Sequence, residues 1–248
     1  MNDKCNALIL KQTDYRENDA LILAYCENFG LLTFVARGIR KMGSKNAGSL
    51  FPFTESELLF DYKEGSDIVA LHSAHLLKSY RHVQSDLTCG AIANVIAELA
   101  GIIGREARED AELNDTVYRL LKAVLSDLNS TQDIFLPLSL FLANALNLLG
   151  IPPEVDECAI CGSTKVNAIS VEDGGFVCSN CYSGPKESPA FLKQFRLLNK
   201  ASSEHLPILK QYGPYPFHHA EILYQFLNMY LSVNLRSWDF LKEIIVLK

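Results

Sequence analysis

Short apolar runs alternate with turn-forming segments in the first third of the chain. The runs are rich in Leu, Ile, Val, Phe and Tyr, which is typical of β-strands. Glycine, asparagine and aspartate dominate the segments between them, as tight turns require. We predict five strands, at residues 7–11, 20–26, 31–37, 54–62 and 68–72. Five short strands without intervening helices fit a small closed β-barrel, and both an OB-fold and an SH3-like barrel remain open.

Beyond about residue 85 the apolar period changes to that of a helix. Apolar side chains recur at helical spacing over residues 117–128 and again over 135–149. We expect Ser130 or Thr131 to cap the second of these helices, with Asp133 in its first turn. Each helix would present one apolar stripe to a core.

Two more helical stretches are predicted near the end of the chain, at about 190–201 and 217–235. Ser188 is expected to cap the first of them, because Pro189 suits the first helical position. Residues 154–186 precede these helices, show little periodicity and carry four cysteines. The pattern predicts a barrel, then helices, then a metal-bound insertion, then helices.

The four cysteines of that insertion form two pairs, Cys158-x-x-Cys161 and Cys178-x-x-Cys181. Two intervening residues let both thiolates of a pair reach one ion, and two pairs complete the tetrahedral shell of Zn²⁺. Because four thiolates leave no open position, we predict one structural, non-catalytic zinc ion. Two redox dithiols are the alternative, but no thioredoxin-like βαβ pattern accompanies them. The remaining cysteines stand singly in apolar surroundings and are expected in the core: Cys5, Cys26 and Cys89.

The formal net charge of −6 gives the chain no bulk attraction to nucleic acid, so any such site must be local. Between Phe29 and Thr54 there is no acidic residue, and glycines separate four cations: Arg37, Arg40, Lys41 and Lys45. Glycine lets a backbone approach phosphates closely, and Arg and Lys supply charge-assisted contacts. The segment is a candidate DNA-binding loop, and an ordinary solvated turn is the alternative.

Aromatic side chains near this loop would stack on bases if they faced a groove. The available rings are Phe34, Phe51, Phe53 and Tyr62. Since alternation in short strands places most aromatics inside, we expect these rings in the core. The adjacent His218 and His219 are likewise expected at the surface or in packing rather than as metal ligands.

Several function classes are not supported by the sequence. We expect no apolar run long enough to cross a bilayer, and the N-terminal residues lack the layout of a signal peptide. A cytoplasmic protein is therefore predicted. The chain has no P-loop, nucleophile elbow or dinucleotide fingerprint, so we predict that it is not an enzyme.

A collinear series of motifs runs from the barrel to the metal segment. In order they are Tyr15-x-Glu17-x-Asp19, Gly30, Ala36-Arg37-Gly38, Ser44, Leu50-x-Pro52-Phe53, Leu148-Leu149-Gly150, Cys158-x-x-Cys161-Gly162, and Gly174-Gly175 before Cys178-x-x-Cys181. Over nearly its whole length the chain thereby resembles the RecO family of bacterial recombination mediators. Two positions depart from the family pattern: Arg16 stands where glycine is common, and Phe51 where a polar residue is common.

The resemblance implies an α+β fold, with an N-terminal OB-fold barrel at 1–78 and a helical domain at 79–248 that carries an inserted Cys₄ zinc ribbon at 154–186. It implies a non-enzymatic, nucleoid-associated DNA repair protein that binds single- and double-stranded DNA and anneals complementary strands. RecR is then a partner, and the protein helps to load RecA on DNA covered by SSB. The predicted DNA contacts are Arg37, Arg40, Lys41 and Lys45, with Arg16 as an additional one.

The resemblance also implies that the acidic, apolar C-terminal tail of SSB docks on the helical region. Arg119 and Lys122, beside the stripe at 117–128, are candidates, although an ordinary helix surface is the favoured interpretation. The alternative function is a zinc-ribbon scaffold for protein–protein contacts without direct DNA binding. A set of acidic residues favours that alternative: Glu106, Glu109, Asp110, Glu112 and Asp115.

Overall fold

The computed structural model describes residues 3–44, 46–63, 65–66, 68–108 and 110–247. Its strands are β1 (Asp3–Tyr15), β2 (Asp19–Cys26), β3 (Gly30–Ala36), β4 (Thr54–Phe60) and β5 (Ile68–Ser79), followed by the short β6 (Ala168–Ser170) and β7 (Gly175–Val177). The first five close into a barrel in the order β1-β2-β3-β5-β4. β3 pairs with β5 in parallel and the other neighbours are antiparallel. This closure is that of an OB-like barrel, so the predicted fold class is confirmed.

The strands at both ends of the barrel sequence are longer than predicted. β1 continues to Tyr15, and β5 continues to Ser79 because it pairs with β4 as far as Thr54. Most side chains in the second half of β5 are exposed on both faces. The apolar–polar alternation that signals a half-buried strand is therefore missing there.

The barrel interior is built from the inward side chains of the five strands. Phe34 and Phe60 are fully buried and meet edge to face, with ring centroids 5.1 Å apart. Ile9, Ile22 and Leu58 complete this part of the core. Two of the single cysteines, Cys5 and Cys26, belong to the same cluster, and Cys89 is buried in the second helix, as predicted.

The helices in the described part of the chain follow the barrel in sequence. They are α1 (Arg81–Ser85), α2 (Leu87–Glu106), α3 (Ala111–Leu128), α4 (Phe135–Leu148), α5 (Pro189–Lys200), α6 (Leu206–Leu209), α7 (Phe217–Leu231) and α8 (Arg236–Val246). Short 3₁₀ turns occur at Gly48–Leu50, Ser203–His205 and Lys210–Tyr212. α3 and α4 carry the two predicted stripes. The helix predicted at 217–235 ends earlier, at Leu231, because Ser232 takes a left-handed φ of 53°.

α2 corrects the expectation that no apolar run approaches the length of a membrane span. It has 20 residues and a mean hydropathy of 1.7, which satisfies that length and composition. However, 72% of its apolar window is buried inside the protein, as in the core helix of a globular unit. α2 is apolar on almost every side because it is surrounded by protein, and this explains why it shows little amphipathic period.

α2 and α3 pack against the barrel through small and polar residues. A Cβ on Gly104 of α2 would lie 2.8 Å from Leu31 and 2.9 Å from the Tyr25 ring, so only glycine allows this approach. The Tyr25 hydroxyl donates a 2.8 Å hydrogen bond to Asn114 of α3, and burial raises the pKa of that tyrosine well above its usual range. Glu98 of α2 accepts hydrogen bonds from Ser237, which anchors α8.

Cα positions group into two compact units, Met1–Ser130 with Ser237–Lys248, and Thr131–Arg236. The first unit contains the barrel together with α1, α2, α3 and α8, and the second contains α4 to α7 and the four-cysteine segment. The two units do not test where the domains of the chain begin and end. The domain boundary predicted after residue 78 therefore stays a prediction.

The caps of the second unit confirm one prediction and correct another. Ser188 accepts a hydrogen bond from the backbone N–H of Phe191, and Pro189 is the first residue of α5, as predicted. By contrast, α4 begins at Phe135 without a side-chain cap, so the predicted cap at Ser130 or Thr131 is wrong. Asp133 lies before α4 rather than in its first turn, because its carboxylate accepts the backbone N–H of Tyr215 instead.

Candidate metal centre and nucleic-acid interface

The four cysteine sulphurs of the two predicted pairs converge on one point. The Sγ atoms of Cys158, Cys161, Cys178 and Cys181 all lie within 4.8 Å of one another, and those of Cys161 and Cys178 are 3.7 Å apart. A tetrahedral ion bound at about 2.3 Å by four thiolates sets its sulphurs roughly 3.8 Å apart. The cluster therefore fits a single tetrahedral metal ion.

A small hairpin holds the second cysteine pair in place. β6 and β7 pair from Ala168 to Val177, and Cys178 follows directly. Gly175 at the start of β7 forms a parallel bridge with Glu154, and a Cβ there would lie 2.3 Å from the Glu154 carbonyl oxygen. Gly174 lies in the turn between β6 and β7, and Gly175 is needed for the close backbone approach to Glu154.

Backbone donors favour the ionised form of two of the thiols. Burial raises the pKa of Cys158, but hydrogen bonds from three backbone N–H groups, the first that of Cys161, outweigh burial and lower it to about 6. The pKa of Cys178 is also lowered, mainly by a backbone N–H. Hydrogen bonding with the neighbouring thiols raises the pKa of Cys181 to about 12. Four thiolates this close repel one another, so a divalent cation is the natural counter-charge.

Turn hydrogen bonds bring the predicted basic residues to one end of the barrel. The backbone N–H of Gly38, which follows β3, donates to the Asp19 carboxylate at 2.8 Å. The backbone N–H of Arg40 donates to the Asn18 carbonyl at 3.1 Å. The loop after β3 is thereby fastened to the turn between β1 and β2, where Arg16 lies.

The described cations of this group are all exposed. Arg16, Arg37, Arg40 and Lys41 each lie at the surface, whereas Lys45 lies outside the described residues. We call the end of the barrel formed by the 16–18 turn and the 37–50 loop the basic end. Its local positive charge contrasts with the net charge of the whole chain, −6.

Arg16 has a backbone conformation that explains the family pattern. Its φ of 56° lies in the left-handed region, which glycine adopts without steric cost and arginine does not. Glycine is the residue that the resemblance leads us to expect here, so the departure has a physical consequence. Arg16 adds a cation to the basic end at the cost of local strain.

The expectation that the four aromatic rings lie in the core holds for two of them. Phe34 and Phe53 are buried, but Phe51 is 55% exposed and Tyr62 is 38% exposed. Tyr62 lies beyond the end of β4, where strand alternation no longer applies, and its ring meets Phe29 edge to face. Phe51 precedes β4 on an irregular segment that directly follows the 37–50 loop of the basic end. The inward assignment of these two rings was therefore wrong.

The outer face of β2 and β3 is partly covered by the protein itself. OB-folds commonly bind oligonucleotides on this face. Here Leu31 and Tyr25 contact Gly104 of α2, and Leu23 lies 3.9 Å from the Cβ position of Gly101. The basic end is an open surface with positive charge on the barrel, and a pocket of about 340 Å³ beside this face is also lined by two exposed cations, Arg105 and Arg108.

The remaining candidates occupy ordinary structural positions. Arg119 pairs with Asp115 on α3 at 3.0 Å, and Lys122 pairs with the buried carboxylate of Glu55. Both cations therefore have partners within the first unit, which agrees with the favoured helix-surface interpretation. His218 is exposed, and His219 is buried with its ring stacked 3.9 Å from that of Phe191.

Sequence reasoning missed one cation near the basic end. Arg81 is exposed at the start of α1, directly after Tyr80, whose backbone N–H donates to the Phe53 carbonyl at 3.2 Å. This hydrogen bond places Arg81 close to the segment that contains Phe51. No motif in the sequence indicates this proximity, because it depends on the long pairing of β4 with β5.

Comparison with known proteins assigns both halves of the chain. The family model Recombination protein O N terminal matches residues 1–80, and Recombination protein O C terminal matches residues 84–239. Relatives named DNA repair protein RecO include that of Listeria monocytogenes serotype 4b, 30% identical over 73% of this chain and 69% of the relative. That of Bacillus pumilus is 27% identical over 97% of this chain and 93% of the relative. That of Syntrophomonas wolfei is 30% identical over 72% and 69%.

Proposed function

Because the chain belongs to the RecO family of DNA repair proteins, we propose that it is a non-enzymatic DNA-binding protein of recombinational repair. It binds single- and double-stranded DNA at the basic end of the barrel and anneals complementary strands. The observation that carries this proposal is the convergence of exposed cations from two separate turns on one end of an OB-like barrel.

The proposed mechanism needs no bond-making chemistry. Arg16, Arg37, Lys41 and Lys45 contact phosphates, and Arg40 joins them when phosphate competes with Asp14, whose carboxylate pairs with the Arg40 guanidinium. Contacts to the sugar–phosphate backbone position a strand without using its base edges. A strand held in this way keeps those edges free to pair with a complementary strand.

The proposed partners follow from family membership. RecR binds the protein, the C-terminal tail of SSB docks on it, and together they help RecA to replace SSB on single strands. The protein acts in the cytoplasm, at the nucleoid. Because Arg119 and Lys122 are engaged with carboxylates of the same unit, we place no part of the SSB-tail site on them.

The metal in the four-cysteine cluster is proposed to be one structural Zn²⁺. Four thiolates at tetrahedral spacing suit zinc, which accepts this shell without redox chemistry. The ion would supply the positive charge that the four sulphurs lack and would link Cys158 and Cys161 to the β6–β7 hairpin. It has no proposed part in catalysis.

A binding and annealing assay tests the proposed function. The quadruple variant with alanine at Arg37, Arg40, Lys41 and Lys45 should lose affinity for single and double strands, alike across sequences, and should anneal complementary oligonucleotides more slowly. The matched control removes four exposed cations elsewhere, at Lys165, Lys193, Arg236 and Lys242, and so changes the net charge equally.

The two functions under consideration give opposite results in this assay. If the control loses as much affinity as the quadruple variant, the basic end is not the DNA site. If the unmodified protein neither binds nor anneals DNA, the alternative of a zinc-ribbon scaffold for protein–protein contacts stands instead.

A further inference from the structure

Phe51 exposes an aromatic ring between two buried neighbours. The ring is 55% exposed, whereas Leu50 is fully buried and Phe53 is 6% exposed. Single exposed apolar residues are common on protein surfaces and alone carry no meaning. What distinguishes Phe51 is the way its backbone is held and the charge around it.

Hydrogen bonds fix the segment from Phe51 to Phe53 on both sides. The Thr54 hydroxyl donates to the Phe51 carbonyl at 2.8 Å. The Gln84 side-chain amide donates to the carbonyls of Pro52 and Phe53 at 2.8 and 3.1 Å. The Phe53 N–H donates to the carbonyl of Ile9 in β1. The exposed ring therefore stands on a backbone that is attached to the barrel and to α1, and little of its position has to be ordered on binding.

Two separate parts of the chain bring cations toward the segment of this ring. The 37–50 loop, with Arg37 and Lys41, leads into Phe51, and Arg81 follows the Tyr80–Phe53 hydrogen bond at the start of α1. No acidic residue occurs between Phe29 and Thr54. A fixed aromatic ring on a segment that continues the basic loop combines the two features that bind single-stranded nucleic acid, namely charge for the backbone and a stacking surface for a base.

α2 packs on Tyr25 and Leu31 of the outer face of β2 and β3, which narrows the usual stacking surface of an OB-fold. We propose that the ring of Phe51 stacks on a base of single-stranded DNA held at the basic end. This inference rests on the proposed function and adds selectivity to it. In a duplex both faces of each base are already stacked on neighbours, so the ring contributes to binding of single strands and not of duplexes.

The test compares variants at Phe51 against single- and double-stranded oligonucleotides of equal length, by fluorescence anisotropy at one salt concentration. Phe51→Ala should weaken single-strand binding roughly tenfold, the lower part of the range for one stacked base, and leave duplex binding unchanged. Phe51→Leu, which keeps apolar area without a π face, should behave as alanine does. Phe51→Trp should retain affinity for single strands. Binding of a single strand should quench the fluorescence of its exposed indole, and the buried Trp238 gives a constant background signal.

Tyr62→Ala is the matched control. Tyr62 is also an exposed ring of the barrel, but it lies beyond the opposite end of β4 from Phe51. Its removal should leave single-strand binding unchanged.

Three results would overturn the inference while leaving the proposed function intact. They are unchanged single-strand binding by Phe51→Ala, an equal loss of single- and double-strand binding, and a loss in Tyr62→Ala as large as that in Phe51→Ala. If the unmodified protein binds neither form of DNA, the proposed function itself fails.

Discussion

The guanidinium Nη1 of Arg40 lies 3.1 Å from the carboxylate Oδ2 of Asp14, so one of the predicted DNA contacts is paired with a carboxylate on β1. Both side chains are substantially exposed, at 43% and 71%, and such pairs contribute little to stability. The pair instead lowers the positive charge that Arg40 offers to a phosphate. Arg37 and Lys41 are also exposed, and among the described residues neither pairs with a carboxylate.

Removing the competing carboxylate should strengthen DNA binding. Asp14→Asn keeps the side-chain shape and frees Arg40, so we expect affinity for single and double strands to rise several-fold at low salt. Asp173→Asn, which removes an acidic charge from the hairpin of the four-cysteine segment, is the charge-matched control and should change affinity less. Anisotropy titrations of the two variants decide the point, and equal effects would mean that Arg40 does not contact DNA.

Two variants of Arg16 distinguish the effect of its backbone strain on stability from the effect of its charge on DNA binding. A left-handed φ costs a non-glycine residue about 1–2 kcal/mol, so Arg16→Gly should raise the free energy of unfolding by about 1 kcal/mol. Arg16→Ala removes the same charge but keeps the strain. Both variants should bind DNA more weakly, and only glycine should be stabilised in urea. A glycine variant no more stable than the alanine variant would rule out strain at this turn.

The four-cysteine cluster should hold one metal ion per chain. We expect Cys161→Ser to lose the ion and to make the unit Thr131–Arg236 more sensitive to proteolysis, because metal binding by four ligands contributes to the folding free energy of such a segment. Cys5→Ala, in the barrel core, should keep the ion. Metal analysis of the purified variants measures this directly. Full occupancy in Cys161→Ser would exclude the proposed ligand set.

Buried His219 gives the fold a defined acid sensitivity. Burial lowers its pKa to about 4, whereas an unfolded histidine has a pKa near 6.5. Since the folded state resists protonation, the stability contribution is complete above about pH 6.5 and is lost as the pH falls toward 4.

The expected loss at His219 is of the order of 3 kcal/mol, from the linkage between a pKa shift and stability. His219→Gln should show a shallower fall in stability between pH 6.5 and 4, and the exposed His218→Gln should follow the unmodified protein. Chemical unfolding across this pH range measures both. Parallel curves for all three proteins would contradict a neutral, buried His219.

Much of the fold could be predicted because its signals are local. The short apolar runs of the first third gave the five strands, and the CxxC spacing gave the cysteine cluster. Ser188 before Pro189 gave the start of α5. α2 was not recognised because it is apolar on nearly every side, and a helix without an amphipathic stripe has no period to detect.

The parts that could not be predicted depend on long-range packing. The pairing of Asp14 with Arg40 requires the 16–18 turn to meet the 37–50 loop, which only the closed barrel brings about. The backbone around the exposed Phe51 is likewise held by hydrogen bonds from Thr54 and Gln84, and Gln84 lies more than thirty residues further along the chain. Sequence alternation assigns a ring to the core only where a regular strand continues, and at Phe51 it does not.

The most direct test of the account is the salt dependence of single-strand binding. If Arg37, Arg40, Lys41 and Lys45 grip phosphates, replacing all four with alanine should make the slope of log K against log salt shallower by about 3, from roughly 0.7 per contact. The control without Lys165, Lys193, Arg236 and Lys242 should keep the slope of the unmodified protein. A quadruple variant with an unchanged slope would contradict the claim that the basic end of the barrel holds the DNA backbone.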